Sequence, residues 1–331
     1  MKTLILEPTS ENILEAGKAA SEGKLVAFPT ETVYGLGADA FNAEAVGKVY
    51  AAKGRPSDNP MIVHIWDVKQ LGTLTPSVKD DVKILAEKLW PGPLTMIVEK
   101  VPGIPDTTTG GLDTVGIRMP SDEIARAFIK AAGCPIAAPS ANISGRPSPT
   151  KAQHVIDDMD GRIDVILKGG DCEVGIESTV LDMTGDVPMI LRPGIITKEQ
   201  LEEILGKAVE IDPAVLRKSM ADADFIPKAP GMKYRHYAPE AEMIIFQGKR
   251  ADVENEINKV KEEKTAEGKK VGVILFDEER MAAHDFFAQL RNMDSEKVDL
   301  ILAGALSDED GVGFAVMNRM LKSAGYNVIY V

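Results

Sequence analysis

Four cationic side chains occupy places in the first two thirds of the sequence where a charge needs an explanation. Lys53 and Arg55 flank the glycine that ends a predicted helix, and a favourable charge at a helix C-terminus explains Lys53 better than Arg55. Arg118 and Arg192 each end a predicted strand, where a buried or half-buried guanidinium needs an anion. That anion is either a polyanionic substrate in a shared pocket or a set of carboxylates of the chain itself.

Hydroxyl, amide and imidazole side chains follow or interrupt the predicted strands of the same region. Ser140 and Asn142 come directly after the apolar strand 136–138, where ligands gather in open α/β sheets, although both could simply cap the next turn. Thr32 lies in the loop that follows the first predicted strand. His64 lies inside an apolar strand, where a histidine is more often a core residue than a catalyst. None of these features alone predicts an activity.

Familiar motifs for nucleotide binding and nucleophilic catalysis are absent or misplaced. Residues 35–40 fit the pattern GxGxxA, but residues 29–34 separate them from their strand, so a glycine turn is favoured over a dinucleotide site. No GxxxxGK(S/T) phosphate loop occurs, and Ser140 lacks the GxSxG surroundings of a nucleophile elbow. The residues therefore favour neither a dinucleotide cofactor nor a serine nucleophile.

Composition excludes several further classes of protein. The 331 residues correspond to about two domains. Lys and Arg number 38 against 51 Asp and Glu, and the resulting net charge of −13 disfavours sequence-independent binding of nucleic acid. Two distant cysteines and four scattered histidines predict neither a disulfide framework nor a zinc site. The first residues do not fit a signal peptide and no apolar run reaches the length of a membrane span, so we expect a cytoplasmic protein.

The hydrophobic pattern divides the chain into three parts. Residues 1–206 alternate helices and strands, with several strands adjacent in sequence, which predicts a mixed rather than a purely parallel sheet. Residues 207–240 have no sustained pattern and contain four prolines, which is typical of a linker. Residues 241–331 alternate strand and helix strictly, which predicts a small parallel sheet of Rossmann-like layout.

Taken together, the polar segments of residues 1–206 resemble those of the YrdC-like family. The motifs, in chain order, are Pro29-Thr-Glu-Thr-Val-Tyr-Gly-Leu-Gly37, Lys53-Gly-Arg55, Asn59-Pro-Met-Ile-Val-His64, Trp90-Pro-Gly-Pro-Leu-Thr95, Arg118-Met-Pro120, Pro139-Ser-Ala-Asn-Ile-Ser-Gly145, Glu177-Ser-Thr179 and Arg192-Pro-Gly194. The remaining residues are similar to the long, two-domain form of that family. The resemblance implies an α/β fold: a YrdC-like twisted mixed-sheet domain followed by a small Rossmann-like parallel domain.

The family comprises the threonylcarbamoyl-AMP synthases, so the resemblance implies a nucleotidyltransferase. Its expected substrates are L-threonine, bicarbonate or CO2, and ATP, and its products are threonylcarbamoyl-AMP and pyrophosphate for t6A synthesis on tRNA. Every participant is anionic, which would explain a cluster of cations without a nucleophile. Mg2+ is the expected cofactor, held by the ATP phosphates and water rather than by protein side chains.

The resemblance also implies roles for individual residues. The core tetrad around the reacting groups would be Lys53, Arg55, Ser140 and Asn142. The ATP-binding residues would be Arg55, Asn59, Thr114, Ser140, Ser148 and Arg192. The threonine-binding residues would be Thr32, His64, Arg118, the backbone of Ala138, and Ser178. A guanidinium can grip the threonine carboxylate with two hydrogen bonds, and a hydrogen bond to the threonine hydroxyl would disfavour valine.

The end of the linker is unusual for a spacer. Residues 230–239 combine Tyr234, Arg235 and His236 with a further lysine and tyrosine, whereas passive linkers are usually small and polar. Aromatic and cationic groups suit a strap that lies over a nucleotide and excludes water. We therefore predict a gate over the active site at Tyr234, Arg235 and His236, with simple packing between the two domains as the alternative.

Two other functions are compatible with a YrdC-like domain. A non-catalytic RNA-binding protein would use a concave basic surface, but the net charge of −13 counts against it. A carbamoyl transferase of the hydrogenase-maturation type would need acylphosphatase-like and zinc-finger-like segments that this cysteine-poor chain lacks. We expect hand-over of the product to a tRNA threonylcarbamoyl transferase, no strong direct binding of tRNA and no membrane partner.

Overall fold

The computed structural model describes residues 2–217, 227–230, 232, 236–307 and 309–331. Their strands form two sheets, which we use to name two units. The first unit, residues 2–211, carries a sheet of eleven strands, and the second unit, residues 242–331, carries a sheet of four strands. None of the helices within the described ranges is long and apolar enough to cross a bilayer.

The first unit alternates strands and helices along most of its length. Its strands are β1 (Leu4–Leu6), β2 (Val26–Phe28), β3 (Gly35–Asp39), β4 (Ile62–His64), β5 (Leu94–Glu99), β6 (Thr114–Arg118), β7 (Ile136–Ala138), β8 (Val165–Leu167), β9 (Thr179–Asp182), β10 (Met189–Arg192) and β11 (Glu210–Ile211). Its α-helices are α1 (Ser10–Ser21), α2 (Ala43–Lys53), α3 (Leu71–Leu74), α4 (Asp80–Leu89), α5 (Asp106–Thr109), α6 (Glu123–Ala132), α7 (Ala152–Met159) and α8 (Lys198–Leu205). A short 3-10 helix spans Val68–Gln70.

The second unit has the strict alternation that the sequence predicts. Its elements are β12 (Glu242–Gln247), α9 (Arg250–Ala266), β13 (Val271–Ile274), α10 (Glu279–Ser295), β14 (Leu300–Gly304), α11 (Gly311–Ser323) and β15 (Val328–Tyr330). The strands lie in the order β13-β14-β12-β15 and every neighbouring pair is parallel. The prediction of a small parallel sheet is confirmed.

The larger sheet is mixed, as predicted, with the order β1-β8-β2-β3-β7-β4-β6-β5-β9-β10-β11. β4 runs parallel to β6 and antiparallel to β7. In this register His64 lies beside Arg118, and each is the last residue of its strand. The neighbouring β7 ends at Ala138 and leads into the loop of Ser140 and Asn142. Three central strands thus place polar residues in one region of the sheet.

Strand β3 corrects one prediction. The sequence favours a glycine turn at residues 35–40, but β3 occupies residues 35–39 and pairs antiparallel with β2. A Cβ atom on Gly37 would lie 2.6 Å from Cγ2 of Ile136 and 2.9 Å from Cε1 of Phe28. The glycines therefore let a strand approach its neighbours closely, which a search for turn patterns cannot distinguish from a turn.

Helix α2 fixes the position of Lys53. Asn42 caps its N-terminus by accepting a hydrogen bond from the backbone of Ala45, as the sequence predicts. Gly54 follows the last helical residue with φ of 64°, in the left-handed region that favours glycine. Lys53 consequently belongs to the final turn, and Arg55 starts the loop beyond it.

The two units pack tightly against each other. Val33 and Ile176 of the first unit belong to the same buried apolar cluster as the core of the second unit. Gly175 has φ of 80°, and a Cβ atom there would lie 2.3 Å from the carbonyl oxygen of His284 in α10. Any larger residue at position 175 would push the units apart. The exact domain boundaries, 206 and 240, remain a prediction from sequence.

Candidate active site

A cavity opens between the central strands of the larger sheet and the segment that joins the two units, with an empty volume of about 730 Å³ that includes open solvent. The sequence-predicted residues that line it are Thr32, Lys53, Arg55, His64, Arg118, Ala138, Ser140, Asn142, Ser148, Ser178, Arg192 and His236. Residues far apart in sequence therefore meet in one place.

Two of the sequence-predicted residues that the structure describes, Asn59 and Thr114, are not among those that line the cavity. Tyr234 and Arg235 lie outside the described residues. Thr114 begins β6, whereas Arg118 ends it, and four residues of a strand span about 13 Å. Asn59 is buried, and neither atom of its side-chain amide has a hydrogen-bond partner among the described residues. The ATP-binding roles of Asn59 and Thr114 remain predictions.

Lys53 binds the loop that follows β7. Its Nζ atom donates to the backbone oxygens of Ser140 and Asn142 and lies 3.4 Å from Oδ1 of Asn142. The Ser140 hydroxyl donates to the same Oδ1 atom at 2.5 Å. Burial, and secondly Arg55, lower the pKa of Lys53 well below its ordinary value. Lys53, Ser140 and Asn142 thus form one connected group, in which the lysine holds the loop in place.

Arg55 lies at the rim of this group. Its Nη2 atom donates to the carbonyl oxygens of Asn59 and Pro60, both at 3.0 Å. Its guanidinium carbon lies 6.0 Å from the ring centroid of Tyr50, and its Nε atom has no hydrogen-bond partner among the described residues. Burial lowers the pKa of Arg55 to about 10, so it stays charged at neutral pH. Arg55 therefore retains N–H donors for a ligand.

Arg118 has a partner that the sequence did not reveal. Its Nη2 atom lies 2.8 Å from Oε1 of Glu31, with both side chains almost fully buried. Its Nη1 atom donates to the hydroxyl of Thr32 at 2.8 Å. For this arginine, the alternative of an ion pair within the chain is correct. A guanidinium has five N–H donors, so donors remain for a carboxylate ligand.

His64 lies next to Arg118 and is neutral. Its ring packs edge-on against Phe28 with centroids 5.9 Å apart, and its Nδ1 atom lies 3.1 Å from the carbonyl oxygen of Ile62. Burial, followed by the charge of Arg118, lowers its pKa to about 3. The imidazole is both a packed core residue and part of the cavity wall, where a neutral ring can exchange hydrogen bonds with an uncharged group.

Arg192 is bound to Ser178. Its Nε atom donates to the Ser178 carbonyl oxygen and its Nη2 atom to the Ser178 hydroxyl, both at 3.0 Å. The same hydroxyl lies 2.8 Å from Oγ1 of Thr95. Burial lowers the pKa of Arg192 to about 10, which leaves it charged. A residue predicted to bind ATP is thus bonded directly to one predicted to bind threonine.

Glu177 is the one carboxylate among the described residues that line the cavity, against the five cations Lys53, Arg55, Arg118, Arg146 and Arg192. Its Oε1 atom accepts a hydrogen bond from the Ser148 hydroxyl at 2.6 Å. Its Oε2 atom lies 3.1 Å from Nε of Arg319, a residue of the second unit. Arg118 and Arg146 have carboxylate partners behind the lining, Glu31 and Asp158, but the lining as a whole keeps an excess of positive charge, which suits an anionic ligand.

The described part of the linker reaches the cavity through His236 and Tyr237. Tyr237 has φ of 63°, an uncommon conformation for a bulky residue, and its ring packs on Phe287 of α10 with centroids 5.0 Å apart. Burial, and secondly the charge of Glu177, raise the pKa of Tyr237. Burial lowers the pKa of His236 to about 3, so its ring is neutral.

Sequence reasoning missed the roles of Glu31, Glu177 and Arg319, whereas Tyr237 belongs to the segment 230–239 that was predicted to lie over the site. Glu31 and Glu177 lie inside the quoted motifs, next to Thr32 and Ser178, and that position was the signal available for them. Arg319 gave no signal of its pairing, because its partner lies 142 residues earlier in the chain.

Two family models together match most of the chain. Residues 18–194 match the Sua5/YciO/YrdC model, which is described as telomere recombination. Residues 196–325 match a model described as the C-terminal domain of threonylcarbamoyl-AMP synthase.

Individual relatives agree with these models. A protein of Pyrococcus abyssi is 49% identical over 94% of this chain and 93% of its own length, and one of Bacillus subtilis is 44% identical over 98% and 96%. Both are named threonylcarbamoyl-AMP synthase. The crystal structure of Pyrococcus abyssi Sua5 complexed with L-threonine matches with a TM-score of 0.93 at 46% identity and covers 100% of both chains.

Proposed function

The chain belongs to the family of threonylcarbamoyl-AMP synthases, and we propose that its cavity forms threonylcarbamoyl-AMP and pyrophosphate from L-threonine, bicarbonate or CO2, and ATP. The observation that carries the choice of substrates is the positive charge of the cavity: Arg118 and Arg146 pair with Glu31 and Asp158, and Lys53, Arg55 and Arg192 supply further positive charge. A relative's structure with bound L-threonine supports threonine as the amino-acid substrate.

The chemistry explains why cations are needed. The neutral threonine amine bonds to the carbon of CO2 and releases a proton to solvent; when bicarbonate is the source, water is released as well. The resulting carboxylate oxygen attacks the α-phosphorus of ATP, and the bond to pyrophosphate breaks so that pyrophosphate leaves with the electron pair. An anion thus approaches a polyanion, and the residues of the site lower the barrier by neutralising charge and aligning the two groups. In the proposal Lys53 holds the loop of Ser140 and Asn142 rigid, and Arg55 directs its remaining donors at the phosphates.

The threonine half of the site is proposed to lie around Arg118. Its remaining donors would grip the carboxylate while Glu31 and Thr32 hold the guanidinium in orientation. Thr32, His64 or Ser178 would hydrogen-bond the threonine hydroxyl, so valine would leave a buried polar group unpaired.

Substitution Arg118→Lys tests this assignment. We expect threonine binding to weaken about tenfold or more, because an ammonium cannot replace the planar fork, while ATP binding changes little. Calorimetric titration of each ligand measures both effects, with Arg162→Lys, an exposed arginine, as the matched control. Equal losses for threonine and ATP in Arg118→Lys would mean that Arg118 is not the threonine anchor.

We also propose that Mg2+ enters with ATP. The described residues contain no group of three or more His, Cys, Asp or Glu side chains that could hold a metal ion, and Glu177 is already engaged by Ser148 and Arg319. The ligands present in the cavity therefore do not suit a metal held by the protein. Phosphate oxygens and water would supply its coordination.

The linker is proposed to act as a gate that protects the labile product from water. The half-buried His236 and the strained Tyr237 support this role, since both line the cavity and Tyr237 is anchored on the second unit. In the double variant Tyr234→Ala, His236→Ala we expect a several-fold larger fraction of turnover to end as AMP, because water reaches the adenylate.

Chromatography of AMP and adenylate after single turnover measures that fraction, and Tyr330→Ala, an exposed tyrosine, is the control. If a well-folded double variant gave the wild-type ratio of AMP to adenylate, the linker would only connect the two units and would not act as a gate.

The proposed function is tested by pyrophosphate release from ATP in the absence of RNA. We expect release that depends on both threonine and bicarbonate. Release that needs tRNA, or that ignores threonine, would contradict the substrates proposed here. Hand-over of the adenylate to a tRNA threonylcarbamoyl transferase is the proposed fate of the product, whose mixed anhydride bond is labile in water.

A further inference from the structure

Helix α11 of the second unit extends a completely buried arginine towards the cavity of the first unit. Arg319 has 0% of its surface exposed. Its Nε atom lies 3.1 Å from Oε2 of Glu177, and its Nη1 atom donates to the carbonyl oxygens of Pro193 and Ala315. Pro193 directly follows Arg192. One side chain of the second unit thus contacts two segments that line the cavity.

Glu177 links Arg319 to Ser148, which lines the cavity. Its second oxygen accepts the Ser148 hydroxyl, so the carboxylate joins Arg319 to Ser148 in an unbroken chain of bonds. Burial alone would raise the pKa of Glu177, but Arg319, Arg192 and the bond from Ser148 together hold it below its ordinary value. Glu177 is therefore ionised, and its charge needs a permanent partner.

We infer that Arg319 is a positioning residue for ATP: it neutralises Glu177, the one carboxylate among the described residues that line the cavity, and fixes it on Ser148, so that the nucleotide half of the site is complete only with the second unit in place. This inference rests on the proposed function, in which Ser148 and Arg192 bind ATP.

The reason that Glu177 needs Arg319 is electrostatic, because the proposed ligand, ATP, is negatively charged. Without Arg319 the charge of the buried Glu177 carboxylate would be offset only by Arg192, and it would repel the ATP phosphates across a short, poorly screened distance. Paired with Arg319 it presents little net charge and still accepts the hydrogen bond that orients Ser148. Threonine would be affected less, because Arg118, the proposed partner of its carboxylate, belongs to β6 and is held by Glu31 and Thr32.

The test combines Arg319→Met with a change of its partner. We expect Arg319→Met to weaken ATP binding about tenfold or more, and threonine binding less than twofold. Adding Glu177→Gln removes the stranded charge while its amide oxygen can still accept from Ser148. The double variant should therefore recover most of the ATP affinity. It also leaves no unpaired buried charge, so it remains informative where Arg319→Met alone is poorly folded.

Arg291→Met is the matched control. Arg291 also crosses between the units, donating to the carbonyl oxygen of Pro147 and pairing with Asp158 at 2.8 Å, but it does not contact Glu177. We expect Glu177→Gln to give no recovery in that background. If Glu177→Gln restored the ATP affinity of both arginine variants equally, or of neither, the inference would be overturned. Arg319 would then contribute only to the packing between the two units.

Calorimetry of ATP and threonine on the full chain, with thermal unfolding alongside, separates this inference from the proposed function. Wild-type protein that binds no ATP would contradict the proposed function itself. Wild-type protein that binds ATP, together with an Arg319→Met variant of unchanged ATP affinity, would contradict only the role of Arg319.

Discussion

A chain truncated after Asp212 is expected to remain folded as a first unit but to lose roughly a thousandfold in adenylate synthesis. Misplacement of reacting groups alone costs about a hundredfold, and loss of water exclusion adds to it. The cut retains β11, which pairs with β10. It removes Arg319, the partner of Glu177, together with the described linker residues that line the cavity, Pro230, His236 and Tyr237.

The measurement is the rate of threonine-dependent pyrophosphate release by truncated and full-length protein. Circular dichroism and thermal unfolding establish that the truncated unit is folded, since Val33 and Ile176 would become exposed. A full-length chain cut at a protease site engineered into residues 218–226 is the matched control, because both pieces stay present. A truncated protein with full activity would show that neither the linker nor the second unit contributes to the site.

Substitution Arg55→Ala is expected to lower turnover about a hundredfold. Loss of one charged contact to the transition state costs roughly 3 kcal/mol, and the free donors of Arg55 face the cavity in which the phosphates are proposed to lie. Stability should change little, because the bonds that Arg55 makes within the chain are two contacts to neighbouring carbonyl groups.

Steady-state kinetics with threonine and bicarbonate saturating measure this effect. Lys48→Ala removes a cation from the exposed face of the same helix α2 and should leave turnover unchanged. Wild-type turnover in a well-folded Arg55→Ala protein would remove Arg55 from the reaction.

Local patterns were sufficient for the framework of the fold. The N-cap at Asn42 and the glycine at position 54 bounded α2 correctly, and strict alternation after residue 241 predicted the parallel sheet. The turn expected at residues 35–40 was wrong, because glycine serves turns and closely packed strands alike and only the neighbours of Gly37 decide between them.

The pairing of charges could not be read from the sequence. Arg118 was rightly expected to need an anion, but its pairing with Glu31 depends on the fold that brings them within 2.8 Å. Arg319 and Glu177 meet only because the second unit packs on the first. Gly175 permits this packing, since a Cβ atom there would clash with the carbonyl oxygen of His284. Long-range electrostatic partners of this kind carry no periodicity and no fixed spacing.

The central claim is that this cavity joins threonine, bicarbonate and ATP, and isotopic labelling tests it most directly. Purified full-length protein is incubated with ATP, Mg2+, threonine and 13C-bicarbonate in the absence of RNA, and the products are analysed by mass spectrometry. The account predicts threonylcarbamoyl-AMP that carries one 13C atom, formed in step with pyrophosphate and absent without threonine. AMP and pyrophosphate without a labelled adenylate, from freshly quenched wild-type enzyme, would contradict it.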